Sequence, residues 1–139
     1  MIVLDTNVLS ELMRKAPSAR VTAWLDSQPT STWFTTSITE AELWFGLEAL
    51  PEGVRRRQIE AEIRAVFTED FQRRVLPFDG AAAKAYAAIA VARRRQGRPI
   101  NMSDAMIAGI AAAHGAILAT RNVSDFEGCG IELVDPWTA

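Results

Sequence analysis

Three apolar residues, Ile2-Val3-Leu4, followed at once by a carboxylate, Asp5, constrain this chain more than any other stretch. A short unbroken apolar run is the pattern of a strand buried on both faces of a sheet. Thr6 or Asn7 can cap a following helix, and Val8, Leu9 and Leu12 recur at helical spacing, so strand turns directly into helix. Asp5 then stands at the carboxyl end of a strand, the edge where open α/β sheets bind ligands. An aspartate there also caps helices with no chemistry, and this stretch alone leaves both roles open.

The remaining segments alternate in the same way. Ser18 caps a helix through Val21, Trp24 and Leu25, and Trp33-Phe34-Thr35 reads as a short strand. Ser37-Ile38-Thr39-Glu40 is a capping box opening a helix to about Leu50, before Pro51 and Gly53. A charged helix from about Val54 to Phe71 carries Ile59, Ile63, Val66 and Phe67 as its apolar stripe. Val75 to Phe78 is a strand that Pro77 places near an edge, and Asp79 caps an alanine-rich helix to Gln96, stopped by Gly97. A helix from Ser103 to His114 has small residues, Ala105, Ala108, Gly109 and Ala112, that let it pack closely on a sheet. Ala116 to Thr120 is the second buried strand and Ile131 to Val134 a terminal one. The expected fold is a single α/β domain over residues 1–139, with a mainly parallel central sheet of four to five short strands flanked by helices.

Composition narrows the chemistry. With 139 residues, 49% hydrophobic and 23% charged, the chain has the balance of one soluble domain. No apolar run approaches a membrane span, and Asp5 is an acid where a signal peptide carries basic residues and then an apolar core, so a cytoplasmic protein with no membrane partner is expected. Cys129 is the only cysteine and His114 the only histidine, which excludes internal disulfides, Cys/His zinc sites and paired-histidine catalysis. His114, just before Gly115, suits a cation at a helix C-terminus. The net charge is −2, yet arginines bunch at Arg55-Arg56-Arg57 and Arg93-Arg94-Arg95. Charge runs usually form solvated helix faces, the favoured reading here; local patches for RNA are the other.

Whatever chemistry exists therefore rests on carboxylates, and four places carry acids or amides where strands end or helices begin. They are Asp5, Glu42, Asp104 and the segment Asn122 to Asp125. Glu40 and Glu42 lie about 200° apart on a helix, so only one faces a given site. Glu40 has the capping job, whereas Glu42 shares a stripe with Ile38, Phe45 and Ala49, an apolar face on which a carboxylate needs a partner. Asp104 complements a helix dipole, but its apolar stripe of Ile107, Ala108 and Ala111 turns it inward. Thr120, Asn122 and Asp125 follow the strongest interior strand at the edge where Asp5 also lies if the two strands are parallel. Carboxylates that close raise one another's pKa unless a cation neutralises them, and the fitting cations are hard, Mg²⁺ or Mn²⁺. Such sites activate water and stabilise charge on a phosphodiester.

These stretches, in this order, resemble the PIN domain: Ile2-Val3-Leu4-Asp5-Thr6-Asn7-Val8-Leu9-Ser10-Glu11, the Glu42 helix, Asp104 in Ser103-Asp104-Ala105-Met106-Ile107-Ala108, and Ala119-Thr120-Arg121-Asn122-Val123-Ser124-Asp125-Phe126. Within that superfamily the chain is most similar to VapC-type toxins of the FitB-like branch, whose chains also end in a Pro-Trp such as Pro136-Trp137. The resemblance implies a Mg²⁺- or Mn²⁺-dependent endoribonuclease, a homodimer, and a cognate antitoxin of the VapB, FitA or Phd kind. It implies Asp5 and Asp104 as metal ligands and Glu42 as the third acid, with Asn7 and Thr120 as supporting polar groups. Many members carry an Asp where this chain has Asn122, so Asn122 or Asp125 is left to complete a second-metal or accessory position.

Rival readings fit less well. A phosphatase of the haloacid dehalogenase type needs a second Asp where Asn7 stands, and a late lysine; the only lysines, Lys15 and Lys84, are away from strand ends. A catalytically degenerate module that binds RNA or an antitoxin partner without cleavage is the alternative that Asn122 feeds. Trp24, Trp44 and Phe45 are the aromatic residues expected to line a partner groove or dimer face, with burial in the core as their other role.

Overall fold

The computed structural model describes residues 1–139, in which five strands and seven α-helices alternate. In chain order they are β1 (Ile2–Leu4), α1 (Thr6–Leu12), α2 (Ala19–Asp26), β2 (Trp33–Thr36), α3 (Ser37–Glu48), α4 (Val54–Ala65), β3 (Val75–Leu76), α5 (Gly80–Arg95), α6 (Met102–Ala113), β4 (Ile117–Ala119), α7 (Val123–Phe126) and β5 (Leu133–Val134). The sheet order is β3-β2-β1-β4-β5, and every neighbouring pair is parallel. No helix is long and apolar enough to cross a membrane.

The alternation of side chains along β1 divides the core. Ile2 and Leu4 face one layer with Val8, Leu9, Val21, Leu25 and Phe71, whereas Val3 faces the other with Ile89, Ile107, Ala108, Leu118 and Phe126. Both faces of the strand are sealed, as its unbroken apolar run requires, and Val3 and Leu4 have no exposed surface. β1 is also the switch point of the topology. The chain leaves it toward β2 and β3 on one side and returns through α5 and α6 to β4 and β5 on the other. The crevice outside the carboxyl ends of β1 and β4 is thus where such a sheet opens to ligands.

Several local expectations shift by a residue or a neighbour. Asp5, and neither Thr6 nor Asn7, is the N-cap of α1: it keeps an extended backbone, and its side chain accepts from the Thr6 amide. Thr36, not Ser37, caps α3, because it is the last extended residue of β2 and its hydroxyl accepts from the Thr39 amide at 3.1 Å. Glu40 consequently does not fold back; it accepts from the Trp44 indole N–H. The charged helix ends at Ala65 and passes through a π-turn, Val66–Asp70, that places Val66 and Phe71 in the core. α6 starts at Met102, one residue before the expected start, with Asn101 as its cap.

α6 packs on the sheet through Ile107 and Ala108, but at Gly109 its close approach is to α5. A Cβ at Gly109 would sit 2.7 Å from the Ala82 carbonyl oxygen and 2.9 Å from the Tyr86 amide nitrogen of α5. Backbone atoms cannot swing aside as side chains do, so α5 and α6 lie this close only because position 109 has no side chain. We expect Gly109→Ala to cost about 2–3 kcal/mol by overpacking. Gly46→Ala in α3, where a Cβ meets nothing within 4 Å, should gain up to about 1 kcal/mol from helix propensity. Urea denaturation of the two variants checks both signs; equal, small effects would mean that α5 yields.

Candidate functional site

Parallel pairing brings Asp5, just beyond β1, level with Thr120, just beyond β4: Leu4 pairs with Ala119, and the Asp5 amide continues the ladder to the Ala119 carbonyl at 2.9 Å. Asp5 is buried, and its carboxylate is held from three sides. Oδ1 accepts from the Thr6 amide at 2.8 Å, and Oδ2 accepts from the Thr120 hydroxyl at 2.8 Å and from the Asn7 amide at 3.4 Å. Asn7 bridges the two loops, donating also to Thr120 Oγ1 at 3.3 Å and accepting from the Arg121 amide at 3.1 Å. Thr120 Oγ1 further accepts from the Asn122 amide. These bonds are the local reason that Asn7 and Thr120 stand where they do.

The other acids arrive on helix N-terminal segments. Glu42, in the second turn of α3, accepts from the Thr6 hydroxyl at 3.1 Å, and Thr6 in turn bonds to Thr39. Its helix face is not the apolar one expected, for Phe45 is 77% exposed and α3 buries Thr39 and Leu47 instead. Asp104 sits in the first turn of α6, its Oδ2 accepting from the side-chain amide of Asn101 at 2.9 Å while Asn101 Oδ1 caps the Asp104 amide. Asp5, Glu42 and Asp104 line one cleft of about 530 Å³, together with Asn7 and Asn122.

The electrostatics record that convergence. Burial pushes the Asp5, Glu42 and Asp104 carboxyls above their ordinary values. Hydrogen bonds from Thr120 and Thr6 pull Asp5 and Glu42 back in part, while the charges of Asp5 and Asp104 raise Glu42 and that of Asp5 raises Asp104. Asp125, an exposed residue of α7 outside the cleft lining, adds its own field to both Asp5 and Asp104. Asn122 precedes α7 without any side-chain capping bond. No group of three or more Asp, Glu, His or Cys side chains is gathered as a ready cage for a metal ion. What the cleft offers instead is separate hard oxygen donors under mutual repulsion, a set suited to a hydrated cation that needs one or two carboxylates.

Some participants carried no signal strong enough to find. Arg93, expected on a solvated face, is 4% exposed and makes no salt bridge. Its guanidinium donates to the carbonyls of Arg98 and Asp125 and to Cys129 Sγ, tying α5 to α7, and its charge pulls the Asp104 carboxyl down. Arg56 likewise turns inward, donating to the Leu50 carbonyl beyond α3. Ser10 and Glu11 line the cleft because they lie three and four residues after Asn7 on one face of α1, and Arg14, beyond the end of that helix, is held there by Glu11. That spacing was legible. Arg121 and Trp137 complete the lining, one after each of β4 and β5. His114 is exposed at the C-cap of α6, away from all of these.

A second groove, of about 950 Å³, runs between α1, α3 and α4 and reaches Thr6 and Glu42. Leu43, Gly46, Leu47, Ile59 and Ile63 line it, and the three aromatic residues expected there do not. Trp24 is packed against the core, Trp44 lies beneath Arg64 at 5.9 Å, and Phe45 points to solvent.

Comparison with known proteins agrees with this arrangement over the whole chain. The PIN domain family model matches residues 2–127. The chain is 42% identical to VapC ribonuclease Y4jK of Sinorhizobium fredii, over 99% of its own length and 98% of that protein's. It is 36% identical to Toxin FitB of Neisseria gonorrhoeae, covering 99% of both chains. The crystal structure of FitAcB from Neisseria gonorrhoeae matches with a TM-score of 0.92 and 35% identity, covering all of both chains. With its five-stranded parallel sheet and its acids at the carboxyl edge, this chain belongs to the PIN-domain family.

Proposed function

We propose that the protein is a Mg²⁺- or Mn²⁺-dependent endoribonuclease, the toxin of a toxin–antitoxin pair, and that it hydrolyses RNA phosphodiester bonds at the Asp5–Glu42–Asp104 cleft. The observation that carries this reading is the convergence of three carboxylates, each raised by burial and two of them by the others' charge, in a cleft whose only lining cations are Arg14 and Arg121. The relatives' names, a ribonuclease and a toxin, point the same way.

Asp5 and Asp104 would hold the cation, with Glu42 close by and Asn122 or Asp125 as the accessory group. When bound, the cation neutralises the cluster, lowers the pKa of water and offsets charge on the phosphate. The chain's own residues set the stage. Thr120, Asn7 and the Thr6 amide fix the Asp5 carboxylate, Asn101 fixes Asp104, and Thr6 turns Glu42 toward the cleft. No histidine takes part. The groove beside α3 and α4 receives an antitoxin segment, which sets a basic side chain among the acids in competition with the metal. Among the similar structures is that of FitAB bound to a DNA fragment. The active species is a homodimer working in the cytoplasm.

Asp104 separates function from stability. A carboxyl whose pKa is raised on folding binds protons better in the native than in the unfolded chain. Its penalty is therefore absent well below the ordinary carboxylate value, grows as pH rises from that value toward the raised folded one, and is complete above it. Without metal, Asp104→Asn should raise the thermal midpoint at pH 7 by roughly 2–4 °C, partial exposure and solvent screening keeping the gain small. The same variant should lose Mg²⁺-dependent cleavage by at least on the order of 10²-fold, as should Asp5→Asn. Cleavage of a labelled RNA by Asp104→Asn at the wild-type rate would place the chemistry elsewhere. His114→Gln should stay within about threefold of wild type, since removing a true acid–base group costs on the order of 10²–10⁴-fold.

Asn122 and Asp125 are read from the metal dependence. An amide oxygen coordinates without bringing charge, so Asn122→Asp should lower the Mg²⁺ concentration for half-maximal cleavage and Asp125→Asn should raise it, each about threefold to tenfold. If Asp125→Asn leaves that titration unmoved and only lowers the thermal midpoint, Asp125 serves the α7 turn and three acids do the work.

A further inference from the structure

The acid cleft has to accept a polyanion, and only two cations line it, Arg14 and Arg121. Arg14 is spent on Glu11, both of whose carboxylate oxygens accept from its Nη1 at 3.2 Å. Arg121 has no carboxylate partner. Its guanidinium carbon lies instead 4.8 Å from the centre of the Trp137 ring. Both residues line the cleft beside Asn122, and they leave the sheet on adjacent strands, Arg121 after β4 and Trp137 after β5.

The frame beneath them is rigid while the guanidinium is free. The Arg121 amide donates to Asn7 Oδ1 at 3.1 Å, the Trp137 amide donates to Asp135 Oδ1 at 2.8 Å, and Pro136 between them is buried. Trp137 also packs against the core cluster that contains Leu4, Val8 and Leu9. A cation–π contact at an exposed site is weak, so a phosphate competes readily for the arginine, and the ring face that it leaves is a flat apolar surface wide enough for a base.

We propose that Trp137 and Arg121 form a substrate subsite next to the acid cluster, in which Trp137 stacks an unpaired base and Arg121 pairs with the adjoining phosphate. This rests on the ribonuclease reading and adds how the strand is held. The subsite selects single-stranded substrate, because a base reaches the ring only when it is out of a duplex stack. It also supplies the positive charge that the cleft otherwise lacks, at a wall of the cleft and not among the acids.

The test uses a fluorescein-labelled single-stranded 12-nucleotide RNA of mixed sequence. Binding is read by anisotropy on the Asp104→Asn background, and KM and kcat on the otherwise wild-type chain. Trp137→Leu should raise Kd and KM on the order of tenfold, with kcat and the Mg²⁺ midpoint within twofold, and Trp137→Phe should recover most of the loss. Arg121→Met should raise them similarly and flatten the slope of log Kd against log salt by about 0.7, the share of one phosphate on a single strand; Trp137→Leu should leave that slope unchanged. Variants that are folded and bind as tightly as their parent overturn the subsite, and the nuclease reading survives if the wild type cuts. Binding that depends on Trp137 and Arg121 in a wild type that never cuts supports the subsite and removes the nuclease reading. No binding at all by the wild type removes both. Should Trp137→Leu fail to fold, Arg121→Met, at an exposed position, decides.

Discussion

The hydrogen bond from the Thr120 hydroxyl to Asp5 Oδ2, 2.8 Å long and buried, is the contact on which the site depends. A carboxylate 5% exposed is tolerable only when its oxygens are satisfied, and Thr120 supplies one of the two shortest of those bonds. The same oxygen of Thr120 receives Asn7 and the amide of Asn122, so one buried hydroxyl fastens the loop after β1 to the loop after β4. The pairing is possible only because the strands are parallel and in register, Leu4 with Ala119. Slipping that register by one residue would turn Thr120 to the other face and leave Asp5 buried without it.

Around this bond the charges are unbalanced by design of the fold. Burial raises three carboxyls, and the one buried cation of the molecule, Arg93, stands behind them, with carbonyls and a sulfur as its partners in place of a carboxylate. A buried guanidinium without an ion pair is costly on its own. Its field reaches Asp104, so it offsets part of the acids' repulsion without occupying the cleft where a cation or substrate would go. It also holds the Asp125 carbonyl, which fixes the short α7 that follows Asn122. Stability and function thus pull the same residues in opposite directions, as polar groups at binding sites commonly do.

Much of this was legible in the residues, for physical reasons that also mark where legibility stops. Ile2–Leu4 and Ile117–Ala119 are interior strands with no polar residue, and periodicity identifies such strands well; their ends then place Asp5 and Thr120. The alternation of helices with short strands foretold a parallel sheet, and all five strands are parallel. The cap of α3 was misplaced by one residue because Thr36 and Ser37 are both good caps, and only the extended backbone of Thr36 decides between them. Of the apolar stripe assigned to Glu42 only Ile38 packs on the core, while Phe45 and Ala49 are exposed, since nothing in a single helix says which of two apolar faces the sheet will cover. Arg93 looked like its neighbours Arg94 and Arg95, and burial of one member of a run depends on a loop more than thirty residues away.

The central place of β1 also sets when a newly made chain acquires its cleft. β1 is made before the other strands, but the partner of Asp5 across the site is Thr120, 115 positions later. Domains condense as units once enough chain is available, and translation adds roughly 5–20 residues per second. Until the last part of the message is read, Asp5 has neither its buried hydroxyl partner nor the wall formed by Arg121 and Trp137. Nascent and prematurely terminated chains therefore lack an assembled cleft. The parallel topology thus makes the cleft one of the last features of these 139 residues to assemble.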